Sequence, residues 1–244
     1  MSDDRAVSEV LGFVLTFSLI TMTIALVFTA GFGGLQDAQH TERVTNVERA
    51  FEVLGTNVEE VHLDGAPSRS TEMRLSGGTL AHGEPVRVTV EWGENSENSS
   101  TFETYPLVYR NGDTEIAYEL GGIVRTDGDH GVMLGGPPLI VGERSTLPLL
   151  VTTTPGDRAS IAGQRTVLVT SSHQRTQLHV VRSEEPVTVV IESPRADVWE
   201  RYLDRSELEP NRTGDTVEFT IDCESTVDCE YTSVSVTWVR LRLR

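Results

Sequence analysis

The chain has 244 residues and a formal charge of -17, from 37 acidic and 20 basic side chains, every basic one an Arg. Such acidity excludes binding to nucleic-acid phosphates, which needs a basic face, and charge-driven docking on anionic lipid heads. Two Cys exclude a Cys-rich zinc site and a disulfide-dense scaffold.

An acidic, Lys-free composition has two readings. Carboxylates keep a protein hydrated and soluble where about 1 M salt screens charge beyond roughly 3 Å, which fits a halophilic source. A GC-rich genome that encodes Arg in place of Lys gives the same composition. Hydrophobic residues, at 38%, are enough for one domain of about 150–200 residues.

The first element is apolar. Glu9 and Asp37 are separated by 27 uncharged residues, and the core of that run is Val10–Phe32. Its length predicts a helix that spans a bilayer of about 30 Å. A cleaved secretory signal has a shorter apolar core, about 7–15 residues, and a small-residue cleavage site, for which Ala30-Gly31-Phe32-Gly33-Gly34 is a poor match. Gly31-Phe32-Gly33-Gly34 reads as a flexible joint at the membrane edge. A single Arg5 precedes the span, with Arg43 and Arg49 beyond it, so charge does not fix its orientation.

The residues Asp4-Arg5-Ala6-Val7-Ser8-Glu9-Val10-Leu11-Gly12 precede and enter this span. They resemble the start of haloarchaeal type IV pilin-like proteins, whose common pattern reads D-R-A-V-S-P-V-I-G before an apolar helix. The resemblance covers residues 4 to about 36. It implies a leader of residues 1–5, cut by a prepilin peptidase at Arg5–Ala6. It also implies a retained helix that anchors the subunit and then packs in a filament core, with Glu9, Val10, Leu11 and Gly12 at its head. The partners implied are the bilayer, other pilin-like subunits, the peptidase, an assembly ATPase and a polytopic platform protein. Glu9 departs from the pattern, standing where many archaeal pilins have Pro. It reads either as a pairing partner for the Ala6 amine or as an interfacial carboxylate at the helix's positive end.

Polar helix-compatible sequence continues over residues 35–63. Val44, Val47, Phe51, Leu54, Val58 and Val61 form a stripe spaced 3, 4, 3, 4, 3. The stripe predicts an amphipathic helix packed on the downstream domain, ended by Asp64-Gly65-Ala66-Pro67. Gly55 weakens its middle. One helix over about Ala6–Leu63 has the length of a pilin spine.

Residues 68–244 read mainly as strands. Val86–Trp92 and Ile116–Leu120 alternate with period two, and further runs are Thr146–Thr153, Thr166–Thr170, Leu178–Val181, Val187–Glu192 and Tyr231–Leu243. One helix is predicted over Ala196–Arg205, with Ser193 as N-cap, Pro194 in the first turn, and Trp199 and Tyr202 as core anchors. Gly93–Ser100 reads as a polar loop. Segments comparable to Tyr109-Arg110-Asn111-Gly112 and Tyr118-Glu119-Leu120-Gly121-Gly122 belong to the same pilin-like resemblance. The expected fold class is α+β: a long N-terminal helix, transmembrane over 10–32 and amphipathic over 35–63, then a mainly antiparallel β-sandwich-like domain with one short helix.

Candidate chemistry is sparse. Cys223 and Cys229 enclose five residues and read as a disulfide closing a small hairpin if the domain is outside, or as two free thiols if it is not. Asn98-Ser99-Ser100 and Asn211-Arg212-Thr213 are glycosylation sequons in loop-like stretches. Asp127-Gly128-Asp129-His130 has alternating acids but lacks the rest of a calcium loop, and reads as a solvated turn. Six scattered His form no metal-ligand pair, and no nucleophile elbow, P-loop or dinucleotide fingerprint occurs. No catalytic residue, metal or cofactor is expected. The leading expectation is a membrane-anchored surface subunit that assembles into, or primes, a type IV pilus-like filament. The alternatives are a non-polymerising anchored adhesion or ligand-binding module and, more remotely, an anchored hydrolase.

Overall fold

A computed structural model describes residues 3–93, 96–142, 144–154, 156, 159–182, 186–206, 208–222 and 230–244, with side chains in the N-terminal helix described for 10–29 and from 41 onward. The chain divides into two units, Met1–Thr45 and Asn46–Arg244. Helix α1 covers Asp3–Leu63. In the first unit it is apolar over Val10–Thr29, 20 residues with no described side chain buried. The expected joint at Gly31-Phe32-Gly33-Gly34 is helical instead. Each Gly costs a helix about 1 kcal/mol, too little to break one flanked by good helix formers.

The second unit contains the end of α1, a second helix and two sheets. The strands are β1 (Ser68–His82), β2 (Val86–Trp92), β3 (Asn98–Thr104), β4 (Leu107–Asn111), β5 (Thr114–Glu119), β6 (Gly122–Asp127), β7 (His130–Gly135), β8 (Arg144–Thr153), β9 (Ser160–Arg182), β10 (Val187–Glu192), β11 (Asn211–Thr213), β12 (Thr216–Ile221) and β13 (Tyr231–Leu243), with α2 at Ala196–Arg205. Eight strands form one sheet in the order β7-β6-β5-β4-β1-β9-β13-β8, and five form the other as β11-β12-β10-β2-β3. Pairing is antiparallel except for β13 with β8. The fold is α+β with a β-rich domain, as the sequence predicts.

Burial follows position in these layers. In the five-stranded sheet β2 and β12 alternate, with Val86, Val88 and Val90 and then Val217, Phe219 and Ile221 pointing inward. They meet Leu147, Leu149 and Val151 of β8 and Val234, Val236 and Trp238 of β13. The neighbours Leu150 and Thr237 point to the other face of the large sheet, where Thr237 meets His62 of α1. Val47, Phe51, Leu54, Val58 and Val61 of α1 are all buried against that face. The large sheet is therefore covered on both sides. This is why β5 and β8 are buried nearly continuously while β2 alternates.

Three expectations are corrected. Thr166–Thr170 and Leu178–Val181 are parts of one 23-residue strand, β9. Its polar middle gave no strand signal, but the strand is held by β1 along Ser160–Ser172 and by β13 along Val169–Arg182. Residues 98–100 of the expected loop lie on β3, paired with β2 from Trp92 to Val90. Ser193 is not the N-cap of α2, which is Arg195 without a side-chain cap. Ser193 Oγ instead accepts the Arg195 N–H at 3.1 Å, because its hydroxyl is committed to Glu119.

The α1 stripe should dominate stability. Phe51→Ala is expected to lower the unfolding free energy by about 3–5 kcal/mol. Val53→Ala, half exposed on the same turn, should change it by less than about 0.5 kcal/mol. Denaturant unfolding of the full chain in a mild detergent, followed by circular dichroism, measures both.

Candidate functional site

Two features carry chemistry: the apolar helix of the first unit and a buried polar centre in the second. In the helix, Val10, Leu11, Phe13, Leu15, Phe17 and Leu19 are each at least 60% exposed, as are most of the large side chains that follow. Every Thr between Gly12 and Thr29 turns its hydroxyl back. Thr16 donates to the Gly12 carbonyl, Thr21 to Phe17, Thr23 to Leu19 and Thr29 to Ala25, each at 2.8 Å. The helix thus satisfies those hydroxyls itself and presents a surface that is apolar except at Ser18. Such a segment is long and apolar enough to be a single membrane span or a signal sequence.

The polar centre is built on Glu119 at the end of β5, whose side chain has no exposed surface. Its Oε1 accepts Ser193 Oγ at 2.7 Å and Trp199 Nε1 at 2.8 Å. Its Oε2 accepts Arg195 Nε at 2.9 Å and Arg195 Nη2. Arg195 Nη1 donates to Glu115 at 2.6 Å, and Arg110 Nε donates to the other oxygen of Glu115 at 2.7 Å. Burial works to lower the Arg195 pKa, but the charges of and hydrogen bonds to Glu119 and Glu115 outweigh it, and the net shift is upward. The guanidinium stays charged. The backbone places Glu119 by a tight turn: Glu119 pairs with Gly122, and Leu120 and Gly121 between them both have positive φ, of 52° and 89°. A two-residue turn of that kind favours Gly at its second position.

An open cleft of about 380 Å³ lies beside this centre, lined by Arg110, Glu115, Asp129, His130, Arg195 and Asp197 among others. Both arginines are already paired with Glu115, so the cleft offers no uncompensated cation. The Asp127-Gly128-Asp129-His130 turn joins β6 to β7. Asp127 accepts Thr114 Oγ1 and Arg125 Nε, each at 2.7 Å, so it braces its own hairpin. Among the described residues no three His, Cys, Asp or Glu gather as metal ligands.

On the other face of the large sheet a polar chain runs from α1 to β9. His62 Nδ1 lies 2.8 Å from Thr237 Oγ1, Thr237 lies 3.0 Å from Thr176, and Thr176 lies 3.0 Å from His173 Nε2. Burial lowers the His62 pKa below its ordinary value; Glu59 opposes this and His173 adds to it.

A family model, described as a family of unknown function (DUF7289), matches residues 5–244. The chain belongs to DUF7289. The family match takes in both the apolar helix and the polar centre. An Archaeoglobus fulgidus chain called "Uncharacterized protein" is 29% identical to this DUF7289 member over 76 residues, 31% of this chain. The aligned part is 25% of that relative's length. The ywiB protein from Bacillus subtilis, a solved structure, is 8% identical with a TM-score of 0.17, over 65% of this chain and 94% of its own. A likeness that slight says nothing about either fold.

The residues singled out in the sequence fall in separate places. Arg5, Ala6 and Glu9 are in α1, with their side chains outside the described set. Val10, Leu11 and Gly12 begin the exposed apolar surface. Cys223 and Cys229 lie outside the described residues. Asn98 and Asn211 are exposed but not on loops: each is the first residue of an edge strand, β3 or β11. Polar edge strands read as loops because they lack a buried face to set an alternation. The Glu119 centre was not legible as a site. Of its members the sequence singles out Trp199 as a core anchor, which its burial supports, and Ser193 as an N-cap, which it is not.

Two measurements follow. Glu119→Leu or Arg195→Met alone should destabilise the unit by about 3–5 kcal/mol, and the two together by clearly less than the sum, as a double-mutant unfolding cycle would read. For His62 the folded-state pKa is depressed, so below pH of about 6.5 the unfolded chain binds a proton that the folded chain resists. The stability of the native chain relative to His62→Gln should therefore fall between pH 7.5 and 5.5, measured by unfolding at each pH.

Proposed function

We propose that the protein is a pilin-like surface subunit. Its apolar helix holds it in the cell membrane, its β-rich unit lies outside the cell, and cleavage at Arg5–Ala6 by a prepilin peptidase releases it for assembly into, or priming of, a type IV pilus-like filament. The observation that carries this reading is Val10–Thr29: a helix with no described side chain buried and its Thr hydroxyls turned onto its own carbonyls. A surface of that kind is stable among lipid tails or among identical helices, and close packing drives the exchange between the two. The resemblance of Asp4–Gly12 to archaeal pilin starts supports the same reading. So does the continuation of the same helical sequence into a stripe that forms part of a domain core, since the stripe ties the helix to the folded unit. Exposed sequons at Asn98 and Asn211 suit an exported surface.

In this reading Arg5 and Ala6 are processing residues, and Val10, Leu11 and Gly12 begin the packing surface. Glu9 offers a carboxylate to the new Ala6 amine or to the helix's positive end. The N-terminal mass of the protein, taken from native membranes and from sheared surface filaments, tests the proposal. A chain that begins at Ala6 and is present in filaments is the expected result. A chain that keeps Met1 or Ser2 and stays in membranes would reduce it to an anchored, non-polymerising module.

A further inference from the structure

The five-stranded sheet covers only part of the large-sheet face on which it packs. Its cover ends at Trp238 of β13, where Phe102 of β3 makes a T-shaped contact at 5.5 Å and the Arg175 guanidinium of β9 lies 3.9 Å over the indole. Beyond Trp238 the same face continues as an uncovered floor on β13, β9 and β1. Residues paired across antiparallel strands share a face, so register sets the rows of this floor. Arg240 stands beside Ser172, Arg242 beside Thr170, and Thr170 beside Ser70, whose hydroxyl is 3.2 Å from its own. On β1, Glu72 and then Arg74 follow Ser70 on the same side.

The floor is short of counter-charges. Arg74, Arg240 and Arg242 hold no carboxylate among the described residues, and Glu72 is the one acid in these rows. On other strands Arg87, Arg110, Arg125 and Arg144 each hold one. In a chain with a net charge of -17, a face of unpaired Arg selects electrostatically for a partner that brings carboxylates.

The chain itself carries a surface of that kind. On the outward side of the five-stranded sheet, Glu91, Glu103 and Glu192 stand around Arg87, with Thr and Ser at the neighbouring positions. Arg87 is shared between Glu103 and Glu192, and Glu91 has no ion pair among the described residues. The Thr hydroxyls bond to one another, Thr89 to Thr101 and Thr188 to Thr220 at 3.0 Å each, so short side chains fill the space between the acids.

We propose that the Arg floor of one copy seats the acidic outer face of the five-stranded sheet of a second copy. Arg240 and Arg242 then meet Glu91 and the Glu103–Arg87–Glu192 group. The floor continues a face that already holds a five-stranded sheet within each chain, so the second sheet lies beside the first. The contact joins two different surfaces, and it therefore repeats from copy to copy instead of ending at a pair. It lies wholly in the folded unit and needs neither cleavage at Arg5–Ala6 nor the apolar helix.

The test is analytical ultracentrifugation of the full chain in non-denaturing detergent at fixed ionic strength. Arg240→Glu with Arg242→Glu gives a copy with two acidic faces, and Glu91→Arg with Glu103→Arg gives one with two basic faces. The native chain should form dimers and longer oligomers as its concentration rises, and each variant alone should associate about tenfold more weakly. An equimolar mixture of the two variants should restore association, because each supplies the face that the other lacks. Arg49→Glu with Arg205→Glu, at exposed helix positions, repeats the charge change of the first variant and should leave association unchanged. A native chain that stays single up to about 1 mM, or a mixture that associates no better than its components, would overturn the assignment. Association that survives both reversals would overturn it too. That association would come from the apolar helix, and the filament proposal would stand without this contact.

Discussion

The carboxylate of Glu119 accepts four hydrogen bonds in a place that water does not reach, and much of the second unit is arranged to supply them. The donors come from Ser193 and Arg195, just before α2, and from Trp199 within it. One side chain on β5 thereby fixes the start and the orientation of a helix roughly 75 residues further along the chain. Breaking either partner leaves a buried charge short of donors or acceptors, which is why such a pair constrains a fold more than it stabilises it relative to apolar packing. Glu115 extends the pair outward to Arg110, so charges of alternating sign run from the interior to the surface.

The second constraint is that the eight-stranded sheet has two faces and both need covering. The five-stranded sheet covers one, and the last turns of α1 cover the other. This explains which parts of the sequence were readable. A strand in the outer sheet keeps one face wet, so Val86–Trp92 shows its period openly. The α1 stripe was legible for the same reason, since a helix on a sheet keeps a polar side. Within the inner sheet Ile116, Ala117, Tyr118 and Glu119 are all buried, and period two no longer sorts inside from outside.

A period that the sequence shows and burial does not follow hid the polar centre. In β5 the alternation of Ile116, Tyr118 and Leu120 leaves Glu119 on the side that would ordinarily meet water. Only α2, contributed from beyond residue 190, converts that side into an interior. The contact is set by the tertiary fold, and nothing within a few residues of Glu119 announces it. The same holds for Tyr118, whose ring was readable as core but whose unpaired hydroxyl depends on what α1 places opposite. The long β9 was missed for a related reason. Its polar centre is held by backbone pairing, to β1 as far as Ser172 and to β13 from Val169 onward, and backbone pairing leaves little mark on side-chain choice.

The inward-turned hydroxyls of the apolar helix have a consequence for its surroundings. Each Thr between Gly12 and Thr29 spends its proton on its own backbone, so among the described residues of the span only Ser18 is left to offer its neighbours a hydroxyl donor. Moving the segment from lipid tails to a cluster of like helices would break none of these bonds and would require no new ones. Its neighbours are then chosen mainly by shape, by how the Phe and Leu side chains mesh. A surface of this sort can change company repeatedly without any change in its own hydrogen bonding.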